Sequence, residues 1–218
     1  MTKQDSKKLK VYVVGGGNDG HYIDNSVHTK VFDDADIVMF RGGADINPDI
    51  YAQKPNRHTT WWSEDRDAME MNYFKHALDS KKLIIGNCRG GQLLTALNGG
   101  KLIQHVSHPG HHMCTTFEGT EYEMNSMHHQ MMYPYNLPPE DYQLVSWTEQ
   151  LSPFHIVEDD KQLEFPKIAL DENGLFKEPE VIWYPKTRCL AIQGHFEWMS
   201  TFCDGNEFIN KFIKENCL

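Results

Sequence analysis

The sequence is short of positive charge and of long apolar runs. Lysine and arginine number 21 against 31 aspartates and glutamates, so the formal net charge is 21 − 31 = −10. That balance disfavours a nucleic-acid backbone or an anionic membrane as the main partner. No stretch approaches the roughly 20 apolar residues that span a bilayer, and the charged start MTKQDSKKLK lacks the apolar core of a secretory signal. We therefore expect a cytoplasmic protein that binds neither nucleic acid nor membrane.

Cysteine is scarce and irregularly spaced. The five cysteines are Cys88, Cys114, Cys189, Cys203 and Cys217. An odd, scattered set favours reduced thiols over a disulfide framework. Histidines and one cysteine cluster between positions 105 and 129, but the paired ligand motifs of a standard zinc site are absent. We therefore expect no metal.

Repeats, low-complexity tracts and linkers are also missing. With 218 residues, 39% of them apolar, the chain can bury a sizeable core, and we expect a single domain over residues 1–218. Gly15, Gly16 and Gly17 follow the first apolar run, but the full Gly-x-Gly-x-x-Gly spacing of a dinucleotide loop is missing. No cofactor is expected on that ground.

Apolar runs alternate with helical patterns in the first half of the chain. Residues 9–15, 35–43 and 82–86 form apolar runs that end in glycine, as buried parallel strands do. Residues 63–82 show helical spacing, with Ser63 as a candidate N-cap. The apolar face of this helix is predicted to comprise Met69, Tyr73, Phe74, Ala77 and Leu78. The alternation predicts an α/β fold with a mainly parallel sheet and helices on both faces.

The second half of the chain is less regular. Residues 107–136 show no clear period, which predicts long loops with short strands. The segments YQLVSW, PKIAL, EVIWY and CLAIQG are predicted strands, and residues 206–216 are a predicted amphipathic helix.

Residues 84–94, IIGNCRGGQLL, place a cysteine between an apolar strand and a helix. A Gly-x-Cys-x-Gly turn in this setting is typical of a nucleophile elbow with cysteine in place of serine. Side chains at Gly86 and Gly90 would collide across so sharp a turn. The N-terminus of the helix that begins near Gly90 favours the thiolate of Cys88, and the turn directs the amide of Arg89 at a substrate oxygen. A buried structural cysteine beside a glycine turn is the alternative.

A thiolate nucleophile needs an imidazole to share its proton and to protonate the leaving amine. Among 12 histidines, His195 follows the apolar strand of LAIQGHFEW, at the sheet edge where the elbow also opens. Glu197 stands two residues further on and can orient the imidazole. The sequence therefore predicts Cys88, His195 and Glu197 as a catalytic triad.

Four motifs in order resemble class I glutamine amidotransferases, and most closely their γ-glutamyl hydrolase branch, the peptidase C26 group. GNCRGGQ matches the Gly-x-Cys-x-Gly-x-Gln signature, and QGHFE matches the closing His-Pro-Glu signature. GGADINPDIY and MNSMHHQ are similar to that branch's Gly-Gly-x-Asp-x-x-Pro-x-x-Tyr and Asn-Ser-x-His-His-Gln. The resemblance implies a flavodoxin-like three-layer fold with a nucleophile elbow, and a glutamyl-thioester intermediate.

The resemblance also implies roles for particular residues. The nucleophile, the base and its orienter would be, in that order, Cys88, His195 and Glu197. The amides of an oxyanion hole would belong to Gly43, or a neighbour in its loop, and Arg89. The pocket for the glutamyl group would be lined by Gln92, Ser126 and His128.

The sequence departs from the family at Phe196, where proline is usual, and in short segments between residues 17 and 35 and before Asn125. Fewer loops should leave the pocket mouth open, which suits the docking of a protein that receives ammonia. We therefore expect a glutamine amidotransferase of glutaminase type that passes ammonia to a separate synthase or ligase. The alternatives are a stand-alone γ-glutamyl hydrolase acting on a γ-glutamyl amine or peptide, and a non-catalytic binding module on the same fold.

Overall fold

The computed structural model describes residues 7–17, 22–199 and 204–218. Within those residues the strands, numbered in chain order, are β1 (Leu9–Val13), β2 (Ser26–His28), β3 (Ile37–Phe40), β4 (Leu83–Asn87), β5 (Lys101–Ile103), β6 (His105–Val106), β7 (His108–Thr116), β8 (Glu121–His128), β9 (Met131–Tyr133), β10 (Gln143–Glu149), β11 (His155–Ile156), β12 (Lys177–Tyr184) and β13 (Cys189–Ile192). The helices are α1 (Glu64–Asp79), α2 (Arg89–Leu97) and α3 (Asp204–Phe212), which continues as a π turn over Ile213–Cys217. None of these helices is long and apolar enough to cross a membrane.

Nine strands form one sheet in the order β2-β1-β3-β4-β13-β12-β10-β7-β8. The first five pair in parallel, in the strand order of flavodoxin-like proteins. The last four continue the sheet in antiparallel pairs. Two short pairs, β5 with β9 and β6 with β11, lie outside it. The predicted flavodoxin-like α/β fold is confirmed.

The sheet separates two apolar cores, because successive side chains of a strand point to opposite faces. In β3, Ile37 and Met39 pack on the face that α3 covers, whereas Val38 and Phe40 pack on the face that α1 and α2 cover. Helices therefore lie on both faces, and the three layers are those that the sequence predicted.

Two local predictions in the second half are wrong. PKIAL is a 3-10 turn over Lys167–Ala169 rather than a strand, and its Ile168 is exposed. Residues 107–136 hold the long hairpin of β7 and β8, in register from His108 opposite His128 to Thr115 opposite Glu121. The sequence of the hairpin shows no alternation of apolar and polar residues, because the hairpin buries polar side chains such as His128 and exposes Met127.

Helix α1 begins as predicted, and its buried side contains Phe74 and Ala77 of the predicted apolar face together with two acidic residues. The Ser63 hydroxyl accepts a hydrogen bond from the amide of Arg66 at 3.3 Å, which confirms the N-cap. Met69, predicted to face the core, is 37% exposed, whereas Asp67 and Glu70 are buried. Asp67 and Glu70 are buried because both carboxylates pair with the guanidinium of Arg89 beneath the helix.

Helix α2 begins in very close contact with the sheet. A Cβ at Gly90 would lie 2.3 Å from the backbone oxygen of Phe40, and one at Gly86 would lie 2.5 Å from the carbonyl of Gly90. Real Cβ atoms do not approach backbone so closely, so the turn between β4 and α2 requires glycine at both positions.

Gly90→Ala is therefore expected to lower the free energy of unfolding by about 3 kcal/mol, since the contacting atom is backbone paired within the sheet. Gly119→Ala is the control for an added Cβ that meets no neighbouring atom, because nothing lies within 4 Å of it and only its positive φ opposes the substitution. It should lower the free energy of unfolding by only about 1 kcal/mol, the cost of backbone strain. Urea unfolding measures both changes, and equal losses would contradict the close contact.

Candidate active site

Three neighbouring parallel strands end at one edge of the sheet and carry the predicted site residues there. Strands β3, β4 and β13 lie side by side, with Phe40 opposite Gly86 and Asn87 opposite Ile192. The carboxyl ends of parallel strands meet at the same edge, where α/β proteins bind ligands. The loop with Gly43 follows β3, Cys88 follows β4, and His195 follows β13.

Cys88 is held in a strained turn at the middle of this edge. Its backbone has φ 50° and ψ −116°, outside the regions that side chains usually allow. Its amide donates to the backbone oxygen of Ile192 at 2.8 Å, and its own carbonyl accepts from the amide of Gln92 at 3.0 Å. Only 6% of the residue is exposed.

His195 lies beside Cys88 and is bonded to Glu197. Its Nδ1 is 2.6 Å from Oε1 of Glu197. Burial lowers the pKa of His195, but hydrogen bonds with Cys88 and Glu197 outweigh it and raise the pKa to about 9. The imidazole is therefore protonated at neutral pH, the form that can give a proton to a leaving amine.

Two further residues fix the backbone of His195. The side chain of Asn125 accepts from the His195 amide at 2.7 Å and donates to its carbonyl at 2.8 Å. Phe196, which stands where the family has proline, is fully buried in the core on the α3 side. It therefore anchors the 3-10 turn Phe196–Trp198 that carries Glu197.

The indole of Trp198 covers one face of the imidazole. Its ring lies 3.7 Å from the ring of His195, at an interplanar angle of 3°. Trp198 is nevertheless 58% exposed. The stack restricts the ring of His195 and places a π face against its positive charge.

The residues predicted to supply oxyanion amides flank Cys88. Arg89 is the first residue of α2, and Gly43 lies in the loop after β3 at φ +148°, which favours glycine. Gly42 also approaches closely, since a Cβ there would lie 3.5 Å from Cβ of Cys88 and 2.6 Å from Cε1 of His195. The loop after β3 and the first residue of α2 thus both adjoin Cys88.

A cavity of about 220 Å³, here called the Gln92 cavity, opens on one side of Cys88 and is lined by Gln92 and His128. The side-chain Nε2 of Gln92 donates to the backbone oxygen of Gln130 at 2.9 Å, and Nδ1 of His128 lies 2.9 Å from the same oxygen. Burial lowers the pKa of His128 well below its usual value, so the ring is neutral. Ser126 does not line this cavity, because its hydroxyl turns away to donate to the backbone oxygen of His108.

A second cavity, of about 330 Å³, opens on the other side of Cys88 and is here called the Trp198 cavity. Arg41, Met127, His195 and Trp198 line it. Met127 lines both cavities and is 72% exposed. A larger cavity, of about 710 Å³, lies near the start of β1 and contains none of the predicted site residues.

Three neighbours of the predicted triad were not foreseen from the sequence. Asn125 stands within the NSMHHQ motif, so its position was visible but its role was not. Gly42 opens the GGADINPDIY motif and Trp198 directly follows QGHFE, yet neither residue type signals a contact with His195. Only the packing of strand ends at one sheet edge brings them together.

Two buried groups of side chains could hold a metal ion in the described part of the chain. Each offers three ligand atoms within 4.8 Å of one another, and their members are His108, His128 and Glu180, and His112, Cys114 and Glu180. Glu180 is already paired, since its Oε1 lies 3.0 Å from Nε2 of His112. The expectation of no metal stays a prediction.

Comparison with known proteins identifies a family match across the elbow. The model of the family described as Peptidase C26 matches residues 21–134, which is 114 of the 218 residues. The matched range contains Gly43, Cys88, Arg89 and His128, and it ends before His195.

Curated relatives match over shorter stretches. The glutamine amidotransferase-like protein YvdE of Lactococcus lactis is 33% identical over 119 residues, which cover 44% of this chain and 50% of that protein. Protein NtpR of Enterococcus hirae is 35% identical over 75 residues, covering 34% of this chain and 31% of that protein. The match therefore covers about half of the length of YvdE and less than a third of the length of NtpR.

Solved structures resemble almost the whole chain. A glutamine amidotransferase from Thermotoga maritima gives a TM-score of 0.55 at 10% identity, over 95% of this chain and 83% of that chain. PurLQS from Thermotoga maritima gives 0.53 at 14% identity, over 96% and 99%. Likenesses at such low identity show the fold alone.

Trp198→Ala is expected to lower the pKa of His195, because it removes the π face that stabilises the imidazolium. A cation–π contact at an exposed site contributes about 0.5–1 kcal/mol, so the fall should be about half a pKa unit. NMR titration of the Cε1 proton of His195 measures it directly, and Trp198→Phe should show a smaller change. Trp61→Ala, which removes another exposed indole, is the control. An unchanged titration in Trp198→Ala would contradict the role of the stack.

Proposed function

The chain belongs to the peptidase C26 family of class I glutamine amidotransferase-like proteins, and we propose that it hydrolyses γ-glutamyl amide bonds through Cys88. The observation that carries this proposal is the strained position of Cys88 between two cavities, with the bonded pair of His195 and Glu197 beside it. A strained backbone at a cysteine is maintained only where the surrounding structure enforces it, as nucleophile turns do. We also propose that residues 1–218 act as one such domain.

In the proposed first step, the thiolate sulfur of Cys88 attacks the γ-carbonyl carbon of the substrate. A carbon–sulfur bond forms, and the carbonyl oxygen becomes an oxyanion that accepts from the amide of Arg89 and from an amide of the loop with Gly43. His195 then gives its proton to the amide nitrogen, the carbon–nitrogen bond breaks, and the amine or ammonia leaves. The product of this step is a glutamyl thioester on Cys88.

In the second step, neutral His195 takes a proton from water, whose oxygen attacks the thioester carbon. The carbon–sulfur bond breaks, glutamate leaves, and the thiolate of Cys88 and the imidazolium of His195 are restored. Glu197 keeps the imidazole in one orientation throughout, as the acidic member of such triads does. The cycle uses side chains and water alone, so the proposal requires no cofactor.

The two cavities support separate places for the two products. The leaving nitrogen has to be within reach of His195, which lines the Trp198 cavity. The glutamyl group would then occupy the Gln92 cavity, where Asp45, buried and 2.9 Å from Nε2 of His129, offers a carboxylate near a substrate amino group. Gln92 and His128 keep the roles that the resemblance implies, whereas the position of Ser126 supports only an indirect one.

The size of the Trp198 cavity favours a stand-alone γ-glutamyl hydrolase over ammonia transfer. A molecule the size of water or ammonia takes up about 30 Å³, and this cavity of about 330 Å³ would accommodate an amine or a peptide end. A formed site for the leaving group is what a self-sufficient hydrolase requires. This observation reverses the order of the two functions that the sequence suggested.

The second candidate function is a glutaminase-type subunit that passes ammonia to a separate synthase or ligase. Met127 and Trp198 favour it, because both are large apolar side chains exposed at the mouth of the site. A partner protein could cover them.

A chloroketone or diazoketone that mimics glutamine is expected to label Cys88 and to spare Cys114, Cys189 and Cys217. Burial raises the pKa of the Cys114 thiol well above its usual range, and it raises the pKa of Cys189 to about 11 and of Cys217 to about 12. These three groups are therefore thiols at neutral pH and react slowly. Mass spectrometry of the labelled peptides decides the outcome.

Cys88→Ala is the control for this labelling and should take up no reagent while it keeps its fold. Label on Cys114, or on Cys203, which lies outside the described residues, would contradict the assignment if Cys88 remained free.

The purified chain is expected to hydrolyse at least one γ-glutamyl amine or peptide with a higher kcat/KM than glutamine, because only the larger leaving group fills the Trp198 cavity. Steady-state kinetics across a panel of such amides measure this ranking, with Cys88→Ala as the inactive control. Glutamine hydrolysis that appears only when a synthase or ligase is added would instead support the second candidate.

A further inference from the structure

A largely buried network of four charged side chains connects α1 to the residue after Cys88 and to the loop after β3. Arg89 directly follows Cys88, and its guanidinium donates to the carboxylates of Asp67 and Glu70. Glu70 also accepts from Nε of Arg66 at 2.9 Å. Arg66, Asp67 and Glu70 all belong to α1. The side chains of Asp67, Glu70 and Arg89 are almost completely buried.

Arg66 extends the network to the loop after β3. Its Nη2 donates to the backbone oxygens of Arg41 at 3.1 Å and of Gly42 at 3.0 Å. The guanidinium lies so close to the loop that a Cβ at Gly43 would come within 2.3 Å of Nη1. Glycine at this position therefore leaves room for Arg66.

The two carbonyls that Arg66 binds belong to the peptides that carry the amides of Gly42 and Gly43. In a trans peptide the carbonyl and the N–H point in opposite directions, and the described residues contain no cis peptide. Arg66 thus holds both amides pointing away from its guanidinium, in a loop whose Gly42 approaches Cys88. A charged donor on the carbonyl also polarises the peptide and strengthens its N–H as a donor.

The network is better explained by this geometry than by stability. It buries Arg89 and two carboxylates and leaves Arg66 half-buried. Replacing buried ion pairs by apolar side chains often leaves stability unchanged or raises it. One amide of the proposed oxyanion hole belongs to Arg89, and the other lies in the loop that Arg66 holds. Glu70 binds both arginines, so it joins the two sides of the hole.

We propose that Arg66 is a positioning residue, held by Glu70, that orients the oxyanion hole beside Cys88. Arg66 contacts no reacting atom and acts through the peptides of residues 41–43. This inference rests on the proposed function, since an oxyanion hole matters only if the sulfur of Cys88 attacks a carbonyl group.

Arg66→Met tests the proposal in the full chain, because it keeps the apolar stem and removes every donor. The value of kcat for a γ-glutamyl amide is expected to fall about 10- to 100-fold, less than the loss of an oxyanion donor itself. KM should change little, because the oxyanion exists only beyond the ground state. Alkylation of Cys88 by iodoacetamide should keep the wild-type rate, because sulfur displaces iodide from carbon and no oxyanion forms.

Arg188→Met is the matched control, since Arg188 also donates to a backbone oxygen, that of Cys217, far from the sheet edge with Cys88. It should leave kcat and alkylation unchanged. Arg66→Lys keeps the charge with a single nitrogen and should lose less of kcat than Arg66→Met. It also carries the test if Arg66→Met does not fold.

Wild-type kcat in Arg66→Met, or in Arg66→Lys where Arg66→Met does not fold, would overturn the inference and leave the proposed function intact. An equal fall in kcat and in the rate of Cys88 alkylation would also overturn the inference, because the whole site would then be disturbed. If the wild-type chain alkylates at Cys88 but hydrolyses no γ-glutamyl amide, the proposed function fails, and the inference fails with it.

Discussion

The close contact between the first turn of α2 and the sheet is the constraint on which the site depends. Gly86 and Gly90 let two backbone segments approach at distances that no Cβ would permit. The chain then turns so sharply that Cys88 adopts φ 50°, a strain of about 1–3 kcal/mol. The bond from its amide to Ile192 ties that strain to β13, the strand that leads to His195. The same contact thus sets the position of the thiol and its distance from the imidazole.

The antiparallel half of the sheet supports this edge from the side. Strand β8 supplies Asn125, which holds both backbone groups of His195, and it packs so tightly that a Cβ at Gly194 would lie 2.8 Å from the Asn125 carbonyl. The strand also supplies His128 to the Gln92 cavity. Asn125 and His128 are therefore buried in this half because they hold groups at the site. Their hydrogen bonds offset the free energy lost when they leave water.

The central parallel strands β1, β3, β4 and β13 could be predicted from the sequence because each carries its own apolar signal, whereas the short, exposed edge strand β2 carries none. Runs such as LIIG are apolar on both faces, and burial between two helical layers requires that. The inward turn of Asp67 could not be predicted in the same way, because its partner Arg89 lies 22 residues away. The spacing of apolar residues predicts which side chains leave water on folding. It cannot predict the burial of charged side chains whose partners come together only in the folded chain. The β7–β8 hairpin and the position of Ser126 outside the Gln92 cavity could not be predicted either, because both depend on polar contacts formed on folding.

The departure at Phe196 shows how one substitution can keep a site while changing its support. Proline would restrict the backbone between His195 and Glu197 through its ring, whereas phenylalanine fixes the same segment by filling the apolar core. With Phe196 anchored inside, the 3-10 turn presents Glu197 to the edge of the imidazole and Trp198 to its face. Asn125 holds the backbone behind them. The ring of His195 is thus constrained from three directions, and a rigid residue at position 196 is no longer needed.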